Sequence, residues 1–188
     1  MYAIRQTWSP VFYVLCLLFI AALLTPVPAA AKPANWFDEA AAANSGGAPS
    51  IKISLSQQRA YFYKGGRLVG VSKVSSGKKG YSTRPGHFRV LSKHPRHRST
   101  VYGSYVDRNT GRVVRSDVNT RKHRRPPGTY YRGAKMHYYI RFNGGIGMHA
   151  SGNVPNYPAS HGCVRMPPHM AQKFYRYAPV GTRVRVVW

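Results

Sequence analysis

A histidine and a cysteine fourteen residues apart offer the clearest chemistry in this sequence. His149 precedes the run Ser160-His161-Gly162-Cys163. A cysteine that attacks an acyl carbon needs a thiolate, an imidazole that takes and returns the proton, and amide N–H groups for the oxyanion. His149 and His161 are candidate bases, and Gly162 permits a turn that could aim the Gly162 and Cys163 N–H groups at one point. We therefore predict that Cys163 is a nucleophile.

Two other interpretations of these residues compete with catalysis. A lone cysteine is often a small buried hydrophobic residue, but His161, Gly162 and Arg165 flank Cys163 and make an apolar environment less natural. His149, His161 and Cys163 could also bind zinc. Structural zinc sites use four ligands and catalytic zinc hydrolases usually add a carboxylate base, and the sequence supplies neither. We expect no metal and no cofactor.

Carboxylates are scarce, and this excludes the main rival chemistries. The chain has four acidic residues, and Asp107 and Asp117 are the only ones after residue 40. Both lie in a predicted basic hairpin, so a glycosidase with two carboxylates flanking the scissile bond is improbable. No aspartate after Asp117 completes a Ser-His-Asp arrangement around Ser160. We assign Ser160 to shaping the turn or binding substrate.

The N-terminal segment has the plan of a signal peptide. An apolar stretch from Val11 to Leu24 follows Arg5 and precedes the small-residue site Ala29-Ala30-Ala31. This length fits a cleaved signal better than a spanning helix of about 20 apolar residues, although an uncleaved anchor is the alternative. Cleavage after residue 31 discards Cys16 and leaves Cys163 unpaired. We expect export to the periplasm or cell wall, with membrane contact only through an uncleaved signal.

The charge of the chain predicts anionic partners. The net charge is +25, and residues 32–188 hold 28 of the 29 basic residues. For an exported protein the available polyanions are cell-wall and envelope polymers, not nucleic acid. The basic segments 93–98 and 121–132 are aperiodic and are predicted to be loops that flank a substrate groove.

Hydrophobic periodicity predicts one mostly β domain. Residues 32–49 are rich in Ala and Gly and are predicted to be a flexible lead, and residues 50–188 suffice for a single core. Pro167 and Pro168 open the only predicted helix, which extends to about Tyr177 before Pro179. Alternation of apolar and polar residues predicts the strands. They are 51–55, 60–63, 68–74, 87–91, 102–106, 112–115, 136–142, 146–149 and 184–188.

This order of elements can bring the two reactive residues together. His149 ends the predicted strand 146–149, and the chain must loop back within about ten residues to reach Cys163. Strand end and returning loop can therefore meet. The helix that begins near Pro167 is expected to place its positive end near the sulfur and to favour the thiolate.

The motifs resemble those of a known family. His149 followed by Ser160-His161-Gly162-Cys163 and an aliphatic residue resembles the signature of the L,D-transpeptidase catalytic domain (YkuD-like). Residues 82–90 (STRPGHFRV) resemble the Thr-Pro-x-Gly-x-Phe strand of that family, and residues 145–149 resemble its strand leading into the histidine. The resemblance covers roughly residues 50–188.

Two residues depart from the common family pattern. Arg165 stands where many members have Asn, although a sizeable branch also has Arg there. The resemblance suggests that Arg165 binds a substrate carboxylate or has a structural role. Ala150 stands where some members have Ser, so any acceptor that orients His149 has to be a backbone carbonyl.

The resemblance implies a fold and a reaction. The fold is a β-sandwich-like domain of mixed sheets with one short helix near the C-terminus, outside the cytoplasmic membrane. Cys163 attacks the L-centre carbonyl of meso-diaminopimelate in a tetrapeptide stem of peptidoglycan and expels D-alanine. The acyl group then passes to an amine of a second stem, giving a 3→3 cross-link. His149 is the catalytic base, and His161 supports the site or the oxyanion.

Several alternatives share parts of this prediction. The same acyl-enzyme gives carboxypeptidation with water, exchange with a D-amino acid, or anchoring with a protein lysine as acceptor. A papain-like peptidase has the cysteine before the histidine, and a sortase separates the two by many tens of residues, so neither fits. The alternative from another class is an inactive basic scaffold that binds the wall.

Overall fold

Two mixed β-sheets form the frame of the protein in a computed structural model that describes residues 34–188. The first sheet has the strand order β1-β4-β3-β2-β11-β5 and the second has the order β10-β9-β8-β6-β7. Each contains one parallel pair, β11 with β2 and β10 with β9. The strands are β1 Trp36–Phe37, β2 Pro49–Ser54, β3 Arg59–Lys64, β4 Arg67–Lys73, β5 Gly86–Arg89, β6 Ser92–Asp107, β7 Val113–Asn119, β8 Thr129–Asn143, β9 Ile146–Ala150, β10 Val164–Met166 and β11 Arg183–Val187.

The core lies between the inner face of the first sheet, one helix and part of the second sheet. Inward residues of β2 and β11, such as Ile51 and Val184, are fully buried while their neighbours face solvent. Helix α2 (Pro168–Tyr177) packs Phe174 edge-on against Phe62 of β3, with ring centroids 5.2 Å apart. The predicted mainly β fold of mixed sheets with a short C-terminal helix is confirmed.

The predicted flexible lead over residues 32–49 is wrong from Trp36 onward. Strand β1 pairs with β4, and helix α1 (Glu39–Asn44) follows it. The Asp38 carboxylate caps α1 by accepting the Ala41 N–H at 2.8 Å. Phe37 contacts the rings of Phe62 and Phe174. The Ala-rich composition of this segment gives no indication of the Asp38 cap or of the aromatic contacts of Phe37. The predicted signal peptide, including Cys16, lies outside the described residues.

Two segments predicted to be loops contain strand residues. The segment 93–98 belongs to β6 and pairs with β8. Pro95 is tolerated there because β7 pairs only with the later part of β6, between Tyr102 and Val106, which leaves one edge of the earlier part free. The predicted loop 121–132 ends at residue 128, because β8 begins at Thr129. Neither helix in residues 34–188 is long and apolar enough to cross a membrane.

Candidate active site

The parallel strands β9 and β10 bring His149 and Cys163 to the same face of the second sheet, diagonally across the strand pair. Val164 pairs with Met148 and Arg165 pairs with His149. Cys163 immediately precedes β10 and therefore lies beside Gly147. Residues two apart on a strand share a face, so His149 and Cys163 project from neighbouring strands toward the same side. Both line one cavity of about 650 Å³.

The imidazole of His149 is held in one tautomer. The residue is 8% exposed, and its Nδ1 lies 2.9 Å from the Ala150 carbonyl oxygen. A carbonyl can only accept, so Nδ1 carries the hydrogen and Nε2 keeps its lone pair. The predicted backbone acceptor is therefore the carbonyl of Ala150, and Nε2 is the atom that can take a proton from a thiol.

Burial keeps both reactive groups neutral. Desolvation lowers the pKa of His149 to about 4, and the nearby Arg165 charge acts in the same direction. Desolvation also raises the pKa of the Cys163 thiol, against the opposing effects of the Gly147 N–H and Arg165. The start of α2 does not enter this balance, so its expected stabilisation of the thiolate stays a prediction. At neutral pH the pair is a thiol and a neutral imidazole.

Ser160 stabilises the turn before the thiol through two hydrogen bonds of its hydroxyl group. Its hydroxyl donates to the Cys163 carbonyl oxygen and accepts the Gly162 N–H at 3.1 Å. Gly162 has φ +112°, a conformation that favours glycine. The Thr83 hydroxyl donates to the Gly162 carbonyl at 2.7 Å. The Gly162 N–H, a predicted oxyanion donor, is therefore bound by the Ser160 hydroxyl, and its role at an oxyanion stays a prediction.

His161 forms part of the cavity wall between two tyrosines. Its ring stacks on Tyr102 with centroids 4.4 Å apart and meets the edge of Tyr81 at 4.7 Å. Burial, followed by the charge of Lys78, lowers the pKa of His161. The two ring contacts hold His161 in the cavity wall as an aromatic surface, two residues before Cys163.

Tyr139 was not predicted as a site residue, yet it contacts a carbonyl group that lies close to the sulfur. Its hydroxyl donates to the Gly145 carbonyl at 2.8 Å, and that oxygen lies 3.7 Å from the Cys163 Sγ. The ring of His97 stacks on Tyr139 with centroids 4.4 Å apart. No pattern in the sequence marks Tyr139 beyond its place in a predicted strand. His97 fell in a segment predicted to flank the groove.

The predicted site residues fall almost entirely around one cavity. Its lining contains four cationic side chains and no carboxylate, a charge distribution that attracts acidic ligands. The cations are Lys135, Arg121, Arg141 and Arg165. The predicted residues that line the cavity are His149, Ser160, His161, Cys163 and Arg165, whereas Gly162 is not part of the lining.

Arg165 connects this cavity with a second one. It lines both, together with Tyr102, His161 and Lys135. Its backbone N–H and carbonyl pair with Ser75 at 3.0 Å in each direction. The arginine is thus fixed by its backbone while its side chain supplies charge beside the reactive pair. Within residues 34–188, no group of three or more His, Cys, Asp or Glu is arranged to hold a metal ion.

The comparisons with known proteins agree on one family. The sequence profile of YkuD, the L,D-transpeptidase catalytic domain, matches residues 48–186. The fold is similar to an L,D-transpeptidase from Mycobacterium smegmatis, with a TM-score of 0.57 and 21% identity over 76% of this chain and 60% of that one. It is also similar to an L,D-transpeptidase from Stackebrandtia nassauensis, with a TM-score of 0.55 and 22% identity over 77% of this chain and 57% of that one.

A third solved structure is more similar in sequence. The L,D-transpeptidase of Xylanimonas cellulosilytica (residues 123–326) has a TM-score of 0.54 and 25% identity over 77% of this chain and 62% of that one. The present chain spans about three fifths of the length of each of these proteins. No curated protein matches the sequence.

Proposed function

The chain belongs to the L,D-transpeptidase catalytic domain family, and on that premise we propose that it is a peptidoglycan L,D-transpeptidase with Cys163 as nucleophile. The observation that carries the proposal is the pairing of β9 with β10. It sets Cys163 diagonally across from His149 on the same face of the sheet. The Nδ1 of this histidine is held by the Ala150 carbonyl, which leaves Nε2 to act as base.

Acylation begins from the neutral pair. Nε2 of His149 takes the thiol proton as the sulfur attacks the carbonyl at the L-centre of meso-diaminopimelate in a tetrapeptide stem. The imidazolium then returns this proton to the nitrogen of D-alanine as the peptide bond breaks, leaving a thioester on Cys163. Because burial lowers the pKa of His149 to about 4, the imidazolium is a strong acid and returns the proton readily.

Transfer to the acceptor reverses these proton movements. His149 takes a proton from the incoming side-chain amine of a second stem, whose nitrogen attacks the thioester. The thioester collapses to an amide, the 3→3 cross-link, and the sulfur recovers the proton. The Cys163 N–H and the neutral His161 ring are the proposed donors for the oxyanion in both steps, since the Gly162 N–H is bound by Ser160.

The charge of the cavity suits a peptidoglycan stem. A tetrapeptide stem carries free carboxylates, and the lining supplies Arg121, Lys135, Arg141 and Arg165 without an acidic residue. Arg165 stands beside the reactive pair and is the proposed partner of the stem carboxylate next to the scissile bond. We further propose that the protein acts outside the cytoplasmic membrane, after removal of residues 1–31, because its substrate is found there.

A product analysis tests the proposal. The purified protein is incubated with disaccharide-tetrapeptide, and products and intact protein are examined by mass spectrometry. We expect a 3→3 dimer, free D-alanine and an adduct equal to the stem minus D-alanine. Tripeptide, an exchanged stem or a lysine-linked stem would instead identify water, a D-amino acid or a protein as the acceptor.

A cysteine variant provides the matched control. Cys163→Ala should form neither adduct nor product, a loss of at least about 10³-fold, while its thermal unfolding stays within a few degrees of the parent. Failure of the folded parent protein to form any adduct would favour the inactive wall-binding scaffold. Adduct formation by Cys163→Ala would refute the assignment of the nucleophile.

A further inference from the structure

The outer face of the first sheet carries basic side chains in aligned rows. Along β11, Arg183 and Arg185 face outward while Val184 between them is buried. Arg183 pairs with Arg89 of β5, and Arg185 pairs with Lys52 of β2. Paired residues on neighbouring strands share a face and lie about 5 Å apart across the sheet. The strand pairing therefore collects four cations, which we call the cationic face.

Nothing in the described chain neutralises this face. The three ion pairs of residues 34–188 use Arg67, Lys173 and Arg176 with Asp38 and Glu39. Within residues 34–188, the side chains of the cationic face make two polar or ring contacts. Arg89 donates to the Gly181 carbonyl at 3.0 Å, and the Lys52 ammonium lies 5.4 Å from the centre of the Tyr61 ring.

The cationic face is concave and separate from the candidate active site. A groove of about 650 Å³ lies along it, lined by all four cations together with Ser50, Ile51, Tyr63, His87, Phe88 and Val184. None of these residues lines the cavity that contains Cys163. The groove is made by β2, β3, β5 and β11, whereas the reactive pair stands on β9 and beside β10 of the other sheet.

We propose that this groove binds a linear polyol-phosphate polymer of the cell envelope and so holds the protein on the wall. The guanidinium groups of Arg89, Arg183 and Arg185 present planar pairs of donors that match the oxygens of a phosphodiester. Arg183 and Arg185 are about 6.6 Å apart along the strand, so one chain with a charge on each repeat can contact both. This binding does not depend on the proposed catalytic activity.

Two other polyanions fit the groove less well. A bilayer surface is broad, whereas the cations here surround a groove within a single sheet. Single-stranded nucleic acid binds by stacking its bases on free aromatic faces as well as through its phosphates. Of the tyrosine and phenylalanine rings that line the groove, Phe88 packs against Phe142 of the core, with ring centroids 5.6 Å apart, which leaves only the half-buried Tyr63 for stacking. A polymer of phosphates and aliphatic polyols needs no such platform.

A binding experiment with charge-reversed variants tests the site. Fluorescence anisotropy measures the affinity of the full chain for labelled poly(glycerol phosphate) at several salt concentrations. R183E/R185E should weaken binding at least about tenfold and reduce the slope of log K against log salt by about 1.5. R183Q/R185Q should give a smaller loss in the same direction, which guards against a folding defect in the first variant.

The control is R124E/R125E, which makes the same change of charge in an exposed loop between β7 and β8 of the second sheet, outside the groove. At 0.15 M salt the Debye length is about 8 Å, so this variant should lose less than about threefold. Equal losses for both pairs would overturn a localised site, and absence of polymer binding by the parent would overturn the proposal entirely. Tighter binding per phosphate to anionic lipid vesicles or to an oligonucleotide would overturn the choice of polymer. Cys163→Ala should bind like the parent.

Discussion

The first sheet keeps a continuous register over most of its strand pairs, whereas the second sheet changes register repeatedly. In the first sheet the single shift lies between Phe62 and Tyr63. In the second, the pairing of β6 with both neighbours and of β8 with β9 is interrupted. The interruptions lie at Arg98/Gly103, Gly103/Tyr105, Tyr105/Val106 and Arg141/Asn143.

Because of this difference, the first sheet serves mainly the packing of the core and the second sheet forms the cavity with the candidate site. The regular sheet presents alternate residues to the core and alternate residues to solvent, and its buried side chains provide much of the hydrophobic cluster. Irregular pairing bends and twists strands, and β6, β8 and β9 together form most of the wall of the cavity that contains His149 and Cys163. Substitutions in the first sheet should therefore change stability, and substitutions around the cavity should change the reaction.

The largest effect is expected for His149→Gln in the second sheet. Glutamine keeps a polar side chain but cannot take the thiol proton, so kcat/KM should fall by about 10⁴-fold. In the parent enzyme kcat/KM should fall on the acid side near pH 4, where His149 becomes protonated and loses its lone pair. On the basic side it should fall only above the ordinary thiol pKa of 9.0, since the pKa of Cys163 is raised. A fall in kcat/KM between pH 7 and 6 would contradict a resting state in which His149 and Cys163 are both neutral.

The same variant separates catalysis from stability. In the unfolded chain His149 takes a proton near its ordinary pKa of 6.5, whereas in the folded chain its pKa is about 4. The free energy of unfolding should therefore decrease as the pH falls from 6.5 toward 4, with this residue contributing up to about 3 kcal/mol. Urea unfolding of His149→Gln should lack that part of the pH dependence, and an unchanged dependence would contradict the burial of the imidazole.

The strands of the regular first sheet are easier to predict from the sequence than those of the irregular second sheet. Alternation identifies Ile51, Ile53 and Val184 as inward residues because one face of a regular sheet is buried and the other is wet. In the second sheet, the strand residues 93–98 are basic and contain a proline, so they lack this alternation. They form a strand because β8 supplies hydrogen-bond partners along one edge. Tertiary pairing of this kind is invisible in local patterning.

For the candidate site, the sequence predicts which residues lie together more reliably than it predicts their ionisation or their hydrogen-bond partners. His149, Ser160, His161 and Cys163 share one cavity, as their spacing suggested. The ionisation of the thiol depends on desolvation, which arises only when the second sheet folds around the sulfur. The use of the Gly162 N–H likewise depends on where the Ser160 hydroxyl points. Neither property is encoded in residue type or spacing alone.

A core substitution in the first sheet tests the opposite half of the contrast. Phe62 is completely buried, and its ring centroid lies 5.3 Å from that of Phe37 and 5.2 Å from that of Phe174. Phe62→Ala should lower the free energy of unfolding by about 3–5 kcal/mol. Below the unfolding temperature, kcat/KM should change by less than about threefold. If the alanine variant does not fold, Phe62→Leu should show the same pattern with a smaller loss. A large drop in kcat/KM of the folded variant would contradict the assignment of stability to the first sheet and of the reaction to the second.

The smallest and sharpest effect is expected for Tyr139→Phe, which removes one hydroxyl and keeps the ring that stacks on His97. That hydroxyl holds the Gly145 carbonyl, whose oxygen lies 3.7 Å from the Cys163 Sγ. Loss of one such hydrogen bond is worth about 1 kcal/mol, so kcat should fall by between about fivefold and tenfold with little change in KM. Alkylation of Cys163 by iodoacetamide should change by a similar factor, which a purely structural role would not produce. Tyr130→Phe in the same strand is the matched control, because its side chain is exposed and should alter neither rate. Equal effects of the two variants would show that Tyr139 does not position the group beside the sulfur.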